Sequence, residues 1–182
     1  MRCSALVSLF LVFAVTPALR AQNDGGRITD LIRSALSAAP ASVSDGATVV
    51  DLHNKVLRTG TNGWVCMPDN PDVPNNSPMC LDERWREFMD AYMNKRRPAF
   101  RGTGFGYMLQ GDFPASNTDP FAPRPTPSNQ WVANAGSHVM MILSDAALLD
   151  GLPTDPKNGG PWVMWKGTPY AHVMIPAVSR NP

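Results

Sequence analysis

The sequence predicts an α+β fold: a mostly antiparallel sheet of about five to seven strands, one amphipathic helix packed on a face, and a short N-terminal helix. Three observations carry this. Trp85, Phe88, Met89, Tyr92 and Met93 recur at helical spacing within "DERWREFMDAYMNKRRP". Two stretches, "SHVMMIL" and "AHVMIPA", are short and β-rich. The chain's 18 prolines and 14 glycines require many turns and ordered loops, which a helical bundle would not.

Residues 1–21 read as a secretory signal peptide. Arg2 precedes an apolar run over 5–15, and small residues allow cleavage after Ala18 or Ala21. The run falls short of the roughly 20 residues that span a bilayer. The expected product is one globular α+β domain, 22–182, periplasmic or secreted, with no membrane association after cleavage. Removing Arg2 and Arg20 leaves 14 basic against 15 acidic side chains, a balance that argues against nucleic acid or an anionic membrane as partner. Cys3 leaves with the leader. Cys66 and Cys80 then remain as a pair expected to form a disulfide in an oxidising compartment.

Within the domain, "RITDLIRSALSAAP" puts Ile28, Leu31, Ile32, Ala35, Leu36 and Ala39 on one helical stripe, which Pro40 ends. "ATVVD" and "KVLRT" follow as strands around His53-Asn54. "TGTNGWVCM" adds an Asn62-Gly63 turn and a third strand, so an antiparallel meander is expected. Asp82 is the expected N-cap of a helix over about 83–97, with Pro98 as its stop. The basic cluster Lys95, Arg96 and Arg97 complements the negative end of that helix.

"GTGFGYMLQG" places Gly102, Gly104 and Gly106 on one face of a strand. Such a bare face lets another element approach the backbone closely, and the spacing is not that of a dinucleotide fingerprint. Residues 112–130 form a long Pro/Ser/Asn loop, either a wrapped surface segment or part of a site.

The two His-Met strands divide by period two. Val139, Met141, Leu143, Val173 and Ile175 point one way; His138, Met140, His172 and Met174 point the other. The purely apolar residues are expected against the helix, forming a core with Trp85, Phe88, Met89 and Tyr92. The opposite face, joined by Trp162, Met164 and Tyr170 if Val163 and Trp165 face the core, is then covered by the loop 112–130 and the N-terminal helix, or floors a cleft. Thr118-Asp119-Pro120, Trp131-Val132 and His138-Val139-Met140 recur in order as Thr154-Asp155-Pro156, Trp162-Val163 and His172-Val173-Met174. This echo suggests an internal duplication with the two His-Met strands side by side.

Three functions fit that face. The first is binding of a small ligand through Trp162, Met164 and Tyr170. The second is soft-metal binding, with copper as the ion, by two arms made of His138, Met140, His172 and Met174. The third is hydrolase-type chemistry using His138 and His172, although no nucleophile elbow or H-E-x-x-H motif is present and no catalytic residue is assigned. The His-x-Met ending is similar to that of small periplasmic copper chaperones with a cupredoxin-like fold. That likeness covers the C-terminal third and departs from the pattern where Leu148 and Leu149 stand in place of an intervening methionine. Over the whole mature chain, the runs "GTNGWVCMPD", "PMCLDERW", "YMLQGD", "SNTDPFA" and "LPTDPKNGGPWVMWKGTPYAHVMIP" resemble a family of exported bacterial proteins known only as uncharacterised. This resemblance implies that the chain is one unit and transfers no activity, cofactor or site residue.

Overall fold

A computed structural model describes residues 17–177, with side chains from residue 25 onward. Residues 1–16, which hold most of the expected leader, lie outside the described residues. The fold is α+β, built on an eight-stranded mixed sheet in the order β2-β1-β3-β4-β5-β8-β10-β9. Its strands are β1 (Thr48–Val50), β2 (Val56–Arg58), β3 (Val65–Met67), β4 (Met79–Leu81), β5 (Thr103–Met108), β8 (His138–Leu143), β9 (Trp162–Met164) and β10 (His172–Pro176). A separate two-stranded ribbon, β6 (Ala115–Ser116) with β7 (Trp131–Val132), lies in and beside the long loop. Among the described residues no helix is long and apolar enough to cross a membrane.

The N-terminal strands are not the expected meander. β2 pairs antiparallel with one side of β1, and β3 pairs parallel with the other. The chain therefore crosses the start of β1 between β2 and β3. Gly60 makes the crossing sterically feasible, because a Cβ there would run into the backbone of Ala47 and Thr48. The Gly60 amide donates to Thr48 Oγ1 at 3.0 Å, and the Thr61 amide donates to the Gly46 carbonyl at 2.8 Å. Cys66 and Cys80 are opposite partners on β3 and β4, with Cα atoms 4.0 Å apart, and are joined as a disulfide.

Two helices cover opposite faces of the sheet. α1 (Pro17–Leu36) and the turn after it seat Ala35, Ala38 and Ala39 against Val49, Cys66 and Cys80. α3 (Glu83–Met93) lies on the other face, over Leu81 and β5; α2 (Ala41–Ser44) is a single turn. Asp82 caps α3 as expected, its carboxylate accepting from the Trp85 amide at 2.8 Å. The helix stops at Met93, short of 97. Lys95 takes a left-handed conformation (φ 52°), so the Lys95 and Arg96 amides bond back to the carbonyls of Tyr92 and Ala91. This is a Schellman closure, with lysine where glycine is usual.

The bare glycine face is where α3 sits. A Cβ on Gly104 would come within 2.9 Å of Arg84 Cβ, and one on Gly106 within 3.3 Å of Trp85 Nε1. Each glycine in a strand costs about 0.5–1 kcal/mol. The seat it creates buries Trp85 and Phe88, at 1% and 2% exposure, each worth about 1.5–3 kcal/mol. Burial wins, and the helix is fixed to this face.

That outcome reverses the expected orientation of the His-Met strands. Met140, Ile142, His172 and Met174 are buried on the face that packs against α3, and His138 is buried on the same face beside Asp112. Val139, Met141, Leu143 and Ile175 are half-buried on the opposite face, where Met141, Leu143 and Ile175 pack with Val163, Val173 and Leu149 of a 3₁₀ turn (Ala146–Leu149). Strand polarity does not decide which face receives a helix. The absence of Cβ atoms on neighbouring β5 does, because Gly104 and Gly106 pair with Ile142 and Met140.

Gly104→Ala should therefore destabilise the fold by about 1–3 kcal/mol, because the new methyl meets a main-chain-anchored Cβ on α3. The urea midpoint should fall with an unchanged slope. An unchanged midpoint would mean that α3 does not depend on this close approach.

Candidate functional site

The strand register makes the buried face readable row by row. Met140 lies opposite Met174, which in turn lies opposite Trp162. His172 lies opposite Met164, while His138 lies opposite Pro176 and next to Met108 of β5. The two HVM strands are side by side, as the echo suggested. Being antiparallel, they bring their methionines together and leave their histidines at opposite ends. The rest of the echo is not structural: Trp131 belongs to the small ribbon, Trp162 to the main sheet.

Between this face and α3 lies a small cavity of about 40 Å³. Six methionines line it: Met79, Met89, Met108, Met140, Met164 and Met174. Its polar lining includes His172 and Asp112. Of the four sequence-predicted metal residues, Met140, His172 and Met174 line this cavity and His138 does not. Of the predicted ligand residues, Met164 lines it. Trp162 and Tyr170 act as anchors, with Trp162 Nε1 donating to Asn117 Oδ1 at 3.1 Å and Tyr170 Oη donating to the Arg96 carbonyl at 3.0 Å.

Both imidazoles are held in the same way. His138 Nδ1 is 2.7 Å from the Gly136 carbonyl, and His172 Nδ1 is 3.0 Å from the Tyr170 carbonyl. A carbonyl only accepts, so Nδ1 carries the proton and Nε2 keeps its lone pair. Their surroundings differ. His172 is boxed edge-on by Trp85, Phe88 and Trp165, with ring centroids 5.4, 6.0 and 4.9 Å away. Burial pushes its pKa down to about 4, so it is neutral at physiological pH. His138 is fully buried, and its Nε2 has no hydrogen-bond partner among the described residues. That nitrogen faces Asp112 Oδ2 at 3.8 Å, too far for a hydrogen bond.

Asp112 is the residue that sequence reasoning missed. It follows Gly111, a left-handed position (φ 139°), and is fixed by two asparagines: its amide donates to Asn134 Oδ1, and its carbonyl accepts from Asn75 Nδ2. Burial raises its carboxyl to about 7, against which one bond from the Phe113 amide works. Burial also lowers His138 from its ordinary value. Burial thus disfavours the charged form of both groups, and at 3.8 Å they do not hydrogen-bond. Among the described residues, neither ring hydrogen-bonds to a hydroxyl or thiol.

Trp165 and Asn117 close the site, and neither was anticipated. Trp165 was expected beside Val163 on the core face, away from the histidines. Its left-handed backbone (φ 58°) turns the indole back over His172. That conformation costs about 1–2 kcal/mol in a bulky residue. Two bonds hold it there: the Trp165 amide donates to the Asn117 carbonyl at 2.8 Å, and Nε1 donates to the Ser116 carbonyl at 2.7 Å. Tyr92 stacks on Trp165 at 5.1 Å and on Phe121 of the long loop at 5.4 Å. The cover is thus α3 and the loop 112–130, with α1 on the opposite side of the sheet.

A second concavity lies on the edge of the far face. It is a groove of about 580 Å³ between residues 97–100, the 3₁₀ turn and the β9–β10 turn. Phe100, Leu143, Leu149 and Ala171 provide apolar lining, and Arg97 and Lys166 supply positive charge. Lys166 Nζ is tied to the Leu149 carbonyl and to Asp150 Oδ1. Among the described residues Arg97 has neither an ion-pair nor a hydrogen-bond partner, whereas Arg96 pairs with Asp90. No family model, curated protein or solved structure matches the chain.

The raised Asp112 carboxyl sets a stability test. Unfolded, Asp112 ionises near its ordinary 3.8; folded, it keeps its proton to about 7. The unfolded state loses its proton first, so stability contributed by this group is present below pH 4 and lost as pH rises to 7. Asp112→Asn mimics the neutral form. It should leave stability nearly unchanged at pH 3.5 and raise it by about 2–4 kcal/mol at pH 8, read from urea unfolding at both values. Equal effects at the two values would place Asp112 in contact with water.

Proposed function

We propose that the chain is an exported binding domain of the periplasm or extracellular space, and that its ligand is a small amphipathic anion held in the groove. Export is supported by the leader-like N-terminus and by a disulfide suited to an oxidising compartment. The groove carries the ligand reading through one observation: Arg97, whose guanidinium has no partner among the described residues, lines it together with Phe100, Leu143 and Leu149, and with Lys166 and Asp150. A guanidinium binds carboxylate or phosphate through two parallel N–H bonds, and the apolar lining offers burial for a hydrocarbon or ring. Its volume of about 580 Å³ suits a small organic molecule, whose pockets usually run from roughly 300 to 1,000 Å³.

The His-Met face, the first place the sequence suggests for such a ligand, leaves only about 40 Å³ beneath α3. No organic ligand fits there without displacing the helix. The interior and the groove are therefore separate questions.

Decanoate, measured by isothermal titration calorimetry with decanol as the uncharged control, tests the groove. Decanoate should bind more tightly than decanol, and Arg97→Glu should weaken decanoate about tenfold, ~1.4 kcal/mol, while leaving decanol unchanged. Equal affinities for the two compounds, or an Arg97→Glu variant that binds decanoate like the parent, would reject the reading.

A further inference from the structure

The geometry points to a Cu(I) site inside the protein, formed by the thioethers of Met164 and Met174 and by His172 Nε2, with Met140 adjoining. This site is independent of the groove.

The three donors are neighbours by construction. Met164 is the cross-strand partner of His172, and Met174 is two residues along the same face of β10. Met140 is the cross-strand partner of Met174 on the other side. All four line the one cavity. The imidazole is already oriented, since Nδ1 is committed to the Tyr170 carbonyl and only Nε2 remains for a ligand. Histidines that bind metals are held by the same kind of bond from their other nitrogen.

The chemistry of the donors selects the ion. Thioether sulfur and neutral imidazole suit Cu(I), while carboxylate and water suit harder ions. Among the described residues no group of three or more His, Cys, Asp or Glu is placed to hold a metal, so a conventional zinc or calcium cage is not built here. A buried, nearly apolar cavity also favours a monovalent ion, because the cost of removing an ion from water rises steeply with its charge. Methionine side chains are long and adaptable, so a space of about 40 Å³ can close around one ion. In an oxidising compartment thiolates are lost to disulfides, as Cys66 and Cys80 are here, whereas thioethers remain as soft ligands.

This set differs from a pair of converging His-x-Met arms. His138 is outside it, lying opposite Pro176 with Nε2 toward Asp112. Substituting His138 should therefore leave the metal affinity within about twofold of the parent, while substituting the methionines should not.

The test is competition for Cu(I) against bathocuproine disulfonate, without oxygen and with ascorbate as reductant. The parent should take one equivalent, and Met164→Leu with Met174→Leu should bind on the order of 100-fold more weakly. Leucine preserves volume and keeps the core filled; circular dichroism checks that the variant folds. Met93→Leu, at an exposed position, should behave as the parent. On the parent itself, Ag(I) should shift the NMR methyl signals of Met164 and Met174 and leave that of Met93 in place. Absence of Cu(I) uptake by the parent, parental affinity in the double leucine variant, or Ag(I) shifts confined to other methionines would each overturn the site.

Discussion

The contact on which the rest of the structure depends is the seat of α3 on the bare stripe of β5. Gly104 and Gly106 remove the Cβ atoms from one face of β5, so Arg84 and the Trp85 ring of the helix approach to a depth that a Cβ there would crowd. Once the helix is there, the same face of β8, β10 and β9 becomes interior. Both strand histidines are then forced out of water and must be satisfied by the nearest carbonyls. Asp112 is drawn in with them by the loop that completes the cover. The left-handed backbone at Trp165 is a further consequence, since an indole is needed over His172 and alternation alone would have put it on the far side.

Much of this was legible in the sequence where local chemistry decides. The stripe Trp85–Phe88–Tyr92, the Asp82 cap, the cysteine pair and the turn strands each follow from propensity and spacing. So does the use of glycines for close approach. What local patterning could not supply was the partner of that bare face. Period two sorts Val139 from His138 correctly, but says nothing about which group lies inward. Judged by polarity, the valines should be the core. Judged by available depth, the glycine side is the seat for α3, and methionine is apolar enough to follow.

The remaining misses have the same origin. The parallel pairing of β1 with β3 rests on Gly60 passing over another strand's backbone, a contact between residues separated in sequence. Asp112 reads as a loop residue, and loop aspartates are ordinarily solvated. Its burial arises from two asparagines and a histidine strand that the sequence does not place beside it. The early stop of α3 depends on a left-handed lysine, a position where glycine is the usual signal.

The central claim is that both histidines are interior, neutral and locked with the proton on Nδ1. It is tested most directly by ¹⁵N NMR of the imidazole nitrogens across pH 5 to 8. At pH 8 both rings should show a protonated Nδ1 and a bare Nε2, and His172 should keep that state throughout. A protonated Nε2 on either ring at pH 8, or titration of His172 near the ordinary histidine value of about 6.5, would put that face in contact with water and contradict the account.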